Sequence, residues 1–349
     1  MPRIAQTTSS ASAKPSTPSA PKKKASALSL VDAANLTPDP DVASPPPVDP
    51  AYPVYPVYPV YPVDPVLKWA GGKSRLLPEL VSRVPTATAL ALAANGTTSI
   101  SARSARKARP AHYFEPFAGG AALFFHLRPR HATLTDTNVE LIHLYTTVRD
   151  DVESLIVELA KHPHDRTHFY AVRALDPTTL PPIERAARMV FLNRTCFNGL
   201  WRVNKQGQFN VPFGSYTNPT ICPTDRLRAA STALKNVDLQ VSDFESATAS
   251  AKAGDFVYFD PPYVPLTRTA SFTAYTGAGF GPVEQQRLAG LFTRLTERGV
   301  HCMLSNSDTP LVRDLYAGHH IDGVLAPRSI SRNGNGRDAV GEVIVRGLV

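Results

Sequence analysis

Cysteine is scarce in this 349-residue chain, and the three present, Cys196, Cys222 and Cys302, stand far apart. No Cys-x-x-Cys occurs, which argues against a zinc site and a disulfide framework and fits a reducing, cytoplasmic compartment. No metal is expected. Long apolar runs are also missing. Nothing approaches the roughly 18 apolar residues of a membrane span. The first 31 residues contain no acid and are rich in Ser and Ala. That faintly resembles a transit peptide, but the prolines and the single Arg favour a plain disordered tail. A P-loop is lacking too. Gly72-Lys73-Ser74 imitates its end, but position 67, where the pattern requires glycine, is Leu67.

Proline is abundant and unevenly spread. Residues 1–66 hold 15 of the 33 prolines, with five basic and five acidic residues. The net charge of +8 therefore sits entirely on residues 67–349. A basic folded region favours a polyanionic partner, nucleic acid first. Within the tail, Tyr-Pro-Val repeats four times from Tyr52 to Val63, a period that matches polyproline II. It reads as a spacer. Ordered sequence is expected from Leu67. A second low-complexity piece, 86–110, carries Arg103, Arg106, Lys107 and Arg109 with no acid, and reads as a flexible basic insert.

Strand and helix signals then alternate. His112–Phe114, Ala132–Thr135, Val237–Val241, Phe256–Phe259, Val300–Leu304 and Glu342–Val345 read as strands. Glu140–Asp150, Val152–Leu159 and Ile183–Leu192 read as helices. Leu288, Leu291, Phe292 and Leu295 mark one helix face closed by Gly299. The alternation predicts an α/β sheet covered on both faces. The stretch 151–240 interrupts it and reads as a mostly helical second domain between catalytic parts 67–150 and 241–349.

Five places carry chemistry. The strand Phe256–Phe259 ends in Asp260-Pro261-Pro262-Tyr263, a carboxylate, two rigid residues and a ring at the carboxyl edge of a sheet. A planar ligand with an amino group suits that set; an ordinary turn with a capping Asp is the plainer alternative. The strand at 112–114 runs into Glu115-Pro116-Phe117-Ala118-Gly119-Gly120-Ala121, a tight turn that lets a ligand approach the backbone, though not a Gly-x-Gly-x-x-Gly fingerprint. Asp136 ends the next strand, placed either to bind ribose hydroxyls or to cap the following helix. A lysine beside the Gly71-Gly72 turn, Lys73, is suited to hold a carboxylate. Finally, residues 193–216 contain no acid but two arginines, a lysine, several Asn and Gln, and interleaved aromatics. That mixture suits base edges, phosphates and stacking.

In this order the motifs resemble the Dam-type DNA adenine-N6 methyltransferases. The resemblance covers about 67–349 except the 86–110 insert. It rests on Trp69-Ala70-Gly71-Gly72-Lys73, Glu115-Pro116-Phe117, Asp136-x-Asn138, the Asn193–Asn204 segment, Phe209–Gly214 and Asp260–Tyr263. Phe272–Tyr275 and Ser305–Asp308 also resemble family runs. The resemblance implies an S-adenosylmethionine-dependent methyltransferase (Rossmann-like) sheet with an inserted, mostly helical target-recognition domain. It implies S-adenosylmethionine as methyl donor, contacted by Trp69, Lys73, Glu115, Phe117, Gly119, Asp136 and Asp260. The family often has Gly where this chain has Ala121; Gly119-Gly120 is expected to supply the turn one position earlier.

The implied reaction is methyl transfer to an adenine flipped out of double-stranded DNA. Tyr263 would stack on the base, and Asp260 and the Pro261 carbonyl would accept its amino hydrogens, with Pro262 completing the catalytic edge. Lys68, Phe197, Asn198, Leu200, Arg202 and Asn204 match DNA-binding positions, with Arg202 reading guanine. GATC is the favoured target, a monomer the expected state, and a cognate restriction enzyme a candidate partner. A DNA-binding regulator without catalysis and an RNA adenine methyltransferase are the rivals.

Overall fold

The computed structural model describes residues 63–69, 71–85, 88, 111–265, 280–326 and 340–348. The Tyr-Pro-Val repeat, nearly all of the basic insert and the Phe272–Tyr275 run lie outside the described residues. The chain packs earlier than the expected start at Leu67. Val66 is fully buried, and Asp64 pairs with Arg226 at 2.8 Å.

Seven strands form one sheet: β1 (Tyr113–Glu115), β2 (Ala132–Asp136), β3 (Val237–Val241), β4 (Phe256–Phe259), β5 (His301–Ser307), β6 (His320–Ala326) and β7 (Val340–Arg346). Their order is β3-β2-β1-β4-β5-β7-β6. The first five pair in parallel; β7 is antiparallel to both β5 and β6. From β1 the chain proceeds outward to β2 and β3, then returns to add β4 on the other side. The order thus reverses between β1 and β4, and ligands of open α/β sheets bind at the carboxyl ends of the strands flanking such a point.

The central strands read as unbroken apolar runs because both faces are covered. Alternate residues serve opposite cores, as the two-residue period of a strand requires. Tyr113, Phe256, Tyr258, Met303 and Ile344 belong to one cluster. Phe114, Val257, Phe259, Cys302, Leu304, Val343 and Val345 belong to the other.

Ten α-helices surround the sheet among the described residues. In chain order they are α1 (Leu77–Arg83), α2 (Ala122–Leu127), α3 (Val139–Asp150), α4 (Val152–Leu159), α5 (Arg166–Ala174), α6 (Pro182–Thr195), α7 (Thr224–Leu234), α8 (Phe244–Ala247), α9 (Pro282–Glu297) and α10 (Pro310–Leu315). The predicted apolar face of α9, Leu288, Leu291, Phe292 and Leu295, is buried against the second core. Helices α4 to α7 share the first core with α3 and the sheet. The expected boundary at 240 falls inside β3.

Asn138 caps α3, its side chain accepting from the N–H groups of Glu140 and Leu141. The capping role considered for Asp136 therefore belongs to Asn138. The strand β6 has no counterpart in the sequence reading. It is an edge strand in which His320, Asp322 and Gly323 interrupt the apolar residues.

Candidate active site

Glu115 ends β1 and Asp260 follows β4, so the strand reversal brings the two carboxyls to one edge. Between them lies a cavity of about 390 Å³, lined in part by Lys68, Trp69, Lys73, Glu115, Gly120, Asn198, Tyr258 and Asp260. The motif at 68–73, both strand ends and Asn198 of the 193–216 segment therefore meet in one place.

Lys73 is nearly buried. Its Nζ lies 2.7 Å from Asp260 Oδ1 and donates to the Gly71 carbonyl at 2.6 Å. The carboxylate that Lys73 holds in this structure is thus that of Asp260. The same Nζ lies 4.4 Å from the centre of the Tyr263 ring, a cation–π contact. Asp260 Oδ1 also accepts from Ser305 Oγ at 3.0 Å. Burial raises the Asp260 carboxyl above its ordinary value, although Lys73 and Ser305 pull it down. Tyr263 donates its hydroxyl to Glu342 Oε2 at 2.8 Å. Glu342 is a half-buried carboxyl on β7, and burial raises its pKa. Nothing in its local sequence marks it.

Glu115 is almost fully buried and accepts from Tyr113 OH at 2.8 Å. Burial pushes its pKa up to about 8, against the pull of that hydroxyl. Asp136 sits at the end of β2, where Oδ2 accepts from Gly119 N at 3.1 Å and Oδ1 from Asn138 N at 2.9 Å. Burial raises its pKa and these N–H groups oppose the rise. Tyr145 OH, fully buried, fixes the turn by donating to the Gly119 carbonyl at 2.6 Å.

Trp69 packs on the glycine turn. A Cβ at Gly119 would meet its Nε1 at 2.9 Å, and Gly119 has φ +45°. Ala121 has φ +49°. The expectation that Gly119-Gly120 replaces the missing glycine is therefore half met. Gly119 makes the close approach, but Ala121 itself adopts the left-handed conformation, at a cost on the order of 1 kcal/mol. Phe117 is placed differently. It stacks on Phe244 at 5.5 Å and meets Phe280 edge-on at 5.5 Å, in the second core.

Residues 195–214 form a hairpin. Gly214 N donates to Thr195 O, Phe197 N to Pro212 O, Asn210 N to Arg202 O and Asn204 N to Gln208 O. Cys196 pairs with Phe213 and Val203 with Phe209. Cys196, Trp201, Phe209 and Val211 are buried, while Phe197 is 49% exposed. Asn198 and Arg202 are exposed and Leu200 is half-buried. Asn198 has φ +55° in a short turn, Phe197–Gly199, near the base of the hairpin. Arg202 Nε donates to Asn210 Oδ1 at 2.7 Å. Asn204 Oδ1 accepts from Gln206 N and Gln208 N and so builds the turn.

The hairpin is tied to the 66–68 strand of chain by side chains that sequence reasoning gave no role. Buried Asn193 accepts from Lys68 N at 2.8 Å and donates to Lys68 O at 2.7 Å and Gly199 O at 3.0 Å. Buried Arg194 donates to Val66 O. Lys68 Nζ lies 4.2 Å from the Tyr216 ring centre, and burial, then Arg194, lowers its pKa. Among the described residues no group of three or more His, Cys, Asp or Glu is placed to hold a metal ion.

Residues 69–330 match the family described as D12 class N6 adenine-specific DNA methyltransferase. The chain belongs to this family. It is 38% identical over 286 residues to type II methyltransferase M1.LlaDCHI of Lactococcus lactis subsp. cremoris, covering 80% of this chain and 93% of that one. Type II methyltransferase M.MjaIII of Methanocaldococcus jannaschii is 36% identical over 297 residues, covering 80% and 97%. The DNA adenine methylase of Serratia marcescens is 36% identical over 283 residues, covering 80% and 96%.

The enzyme is an adenine-specific DNA methyltransferase with S-adenosylmethionine as donor. Its cavity fits that donor's chemistry. A cationic sulfonium suits a cavity lined by the Asp260 carboxyl and the Trp69 ring.

Proposed function

We propose that this methyltransferase extrudes adenine from double-stranded DNA, within GATC, and presents its amino group to Asp260 and Tyr263. The target nitrogen is inaccessible inside the stack, so extrusion is required. One observation carries the reading: Asn198, on the exposed short turn near the base of the hairpin, and Asp260 line the same cavity. A residue that enters the duplex is thereby joined to the carboxylate that receives the base.

In this reading the hairpin is the reading head of a target-recognition domain spanning 151–240. Phe197, Asn198 and Leu200 wedge into the duplex and hold the gap. Arg202, its Nε held by Asn210, keeps its terminal nitrogens for bidentate contact with guanine O6 and N7. Lys68 makes a second guanine contact, and Asn204 keeps the turn rigid. When bound, the donor supplies an electrophilic methyl carried on a sulfonium. Trp69, Lys73, Glu115, Phe117, Gly119 and Asp136 would hold it, with Asp136 toward ribose hydroxyls. Phe117 would act from the edge of the second core.

Asp260 and the Pro261 carbonyl accept the two amino hydrogens, which frees the nitrogen lone pair. Tyr263 stacks on the base and Pro262 fixes the path of the loop. Asp260 must be ionised to accept. Placement and fixed charge supply the catalysis, and losing one such acceptor costs on the order of 100-fold or more in rate. The reading takes the enzyme as a monomer in the cytoplasm, with a cognate restriction endonuclease as a candidate partner.

The test is methylation of unmodified DNA by the purified enzyme, followed by sequencing of adenine marks. Marks at GATC are expected. Marks confined to another motif overturn GATC, and near-normal transfer by Asp260→Ala overturns the catalytic assignment.

A further inference from the structure

We propose that Ser305, with the Asn306–Gln285 pair, positions the catalytic loop for methyl transfer, Ser305 orienting the Asp260 carboxylate and the pair fixing the backbone from Pro262 to Val264. This rests on the reading of Asp260 as the acceptor of the adenine amine.

The loop that must be held cannot hold itself. Pro261 and Pro262 have no backbone N–H, so the segment loses two of the donors that would anchor it to the sheet. The next strand, β5, supplies what is missing. Ser305, fully buried, donates from Oγ to Asp260 Oδ1 at 3.0 Å. It takes a hydrogen bond from Tyr258 OH at 2.9 Å, so a buried relay runs from β4 through β5 to the carboxylate. With Lys73 on the same oxygen, Oδ1 is saturated. Oδ2 is then the oxygen left for the amino hydrogen.

The second clamp lies one residue on. Asn306, fully buried, accepts from Val264 N at 3.1 Å and donates to Gln285 Oε1 at 3.2 Å. Gln285, from the first turn of α9, donates through Nε2 to the Pro262 carbonyl at 2.9 Å. Ser307 Oγ adds a bond to Val264 O at 2.6 Å. Each amide thus uses both its ends, and the chain on either side of Tyr263 is tied to β5 and α9. A polar network that is buried and fully paired restricts its members to one arrangement. The apolar environment would accept simpler residues at these places; the polar ones connect to the loop and to little else.

The experiment compares Ser305→Ala, Gln285→Met and Asp260→Ala in the full chain, with steady-state kinetics on DNA, a pH profile and thermal melts. Ser305→Ala and Gln285→Met are expected to lower kcat about tenfold or more, because small misplacements of reacting groups are costly in rate. KM for donor and for DNA should stay within about twofold of the parent. The charged and titratable groups facing Asp260 are Lys73, Tyr113, Glu115, Tyr258, Tyr263 and Glu342. None of them changes in Ser305→Ala. Loss of the Ser305 bond removes an interaction that lowers the Asp260 pKa, so the acid limb of kcat should move to higher pH. Gln285→Met should leave that limb in place.

Unchanged kcat in Ser305→Ala and Gln285→Met, with Asp260→Ala inactive, overturns the positioning role alone. A loss of activity in Ser305→Ala that follows only a lowered melting temperature or lost donor binding, with its acid limb unmoved, also overturns it. Activity in Asp260→Ala overturns the reading beneath it.

Discussion

Lys73→Met isolates the pairing at the centre of the site. Methionine keeps the unbranched stem and removes the charge. In the structure Nζ stands 2.7 Å from Asp260 Oδ1. At an effective dielectric of about 20 that separation corresponds to about 6 kcal/mol of attraction, before the cost of desolvating both ions. Removing one partner of a buried pair leaves the other uncompensated, at about 3–5 kcal/mol. Asp260 is 19% exposed and keeps the Ser305 bond, so the lower end, about 3 kcal/mol, applies. For a folded region of this size that is a fall of about 6–12 °C in Tm. The sign of the pH dependence is definite. Burial already raises the Asp260 carboxyl, and losing Lys73 raises it further. A raised carboxyl favours the protonated folded state, so the penalty is full at high pH and fades as pH falls through the folded pKa. Thermal melts of parent and variant at pH 8 and pH 5 measure this. The gap should be widest at pH 8 and shrink at pH 5. An equal gap at both values would refute Lys73 as the counter-ion of Asp260.

Three other substitutions probe separate parts of the site. Glu115 has a folded pKa of about 8 against an ordinary 4.5, so it contributes stability at low pH that is lost as pH rises through 8. Glu115→Gln should therefore gain on the parent between pH 5 and pH 9, by at most about 5 kcal/mol; a difference independent of pH in chemical unfolding would remove the argument. Gly199 has φ +63°, and a Cβ there would lie 2.6 Å from Lys68 Cβ. Gly199→Ala should push Lys68 aside and weaken DNA binding about tenfold or more while donor binding, read by calorimetry, stays unchanged; equal affinity for DNA would count against Lys68 as a contact. Arg202→Ala should lose about 1–3 kcal/mol of discrimination at one guanine, read as relaxed sequence preference in competition binding. Uniform weakening across all sequences would instead make Arg202 a phosphate contact.

What could be read from the residues alone was whatever is local. The strands β1, β4 and β5 stood out because a sheet covered on both faces needs continuous apolar runs, and β2 by the alternation of Thr with Ala132 and Leu134. Asp260 and Tyr263 stood out because two prolines fix their spacing over four residues. The edge strand β6 did not, since His320, Asp322 and Gly323 break up its apolar residues and leave no regular two-residue alternation. The supports of the site were hidden for another reason. Asn193 lies 125 residues from Lys68, and Glu342 lies 79 from Tyr263. Polar residues on buried helix and strand faces look, one by one, like defects in an apolar pattern. Asn193, Gln285 and Asn306 become intelligible only when the sheet order sets them against backbone with unmet hydrogen bonds. Ala121 shows the same limit in the backbone. Its identity argued that the glycine turn had moved, but φ +49° at Ala121 shows the turn retained with a less suitable residue. A residue type that breaks its local rule while the geometry persists points to a constraint imposed from outside the segment. Here that constraint is the packing of Trp69 on Gly119, with Asp136 accepting from the Gly119 N–H and Tyr145 donating to its carbonyl.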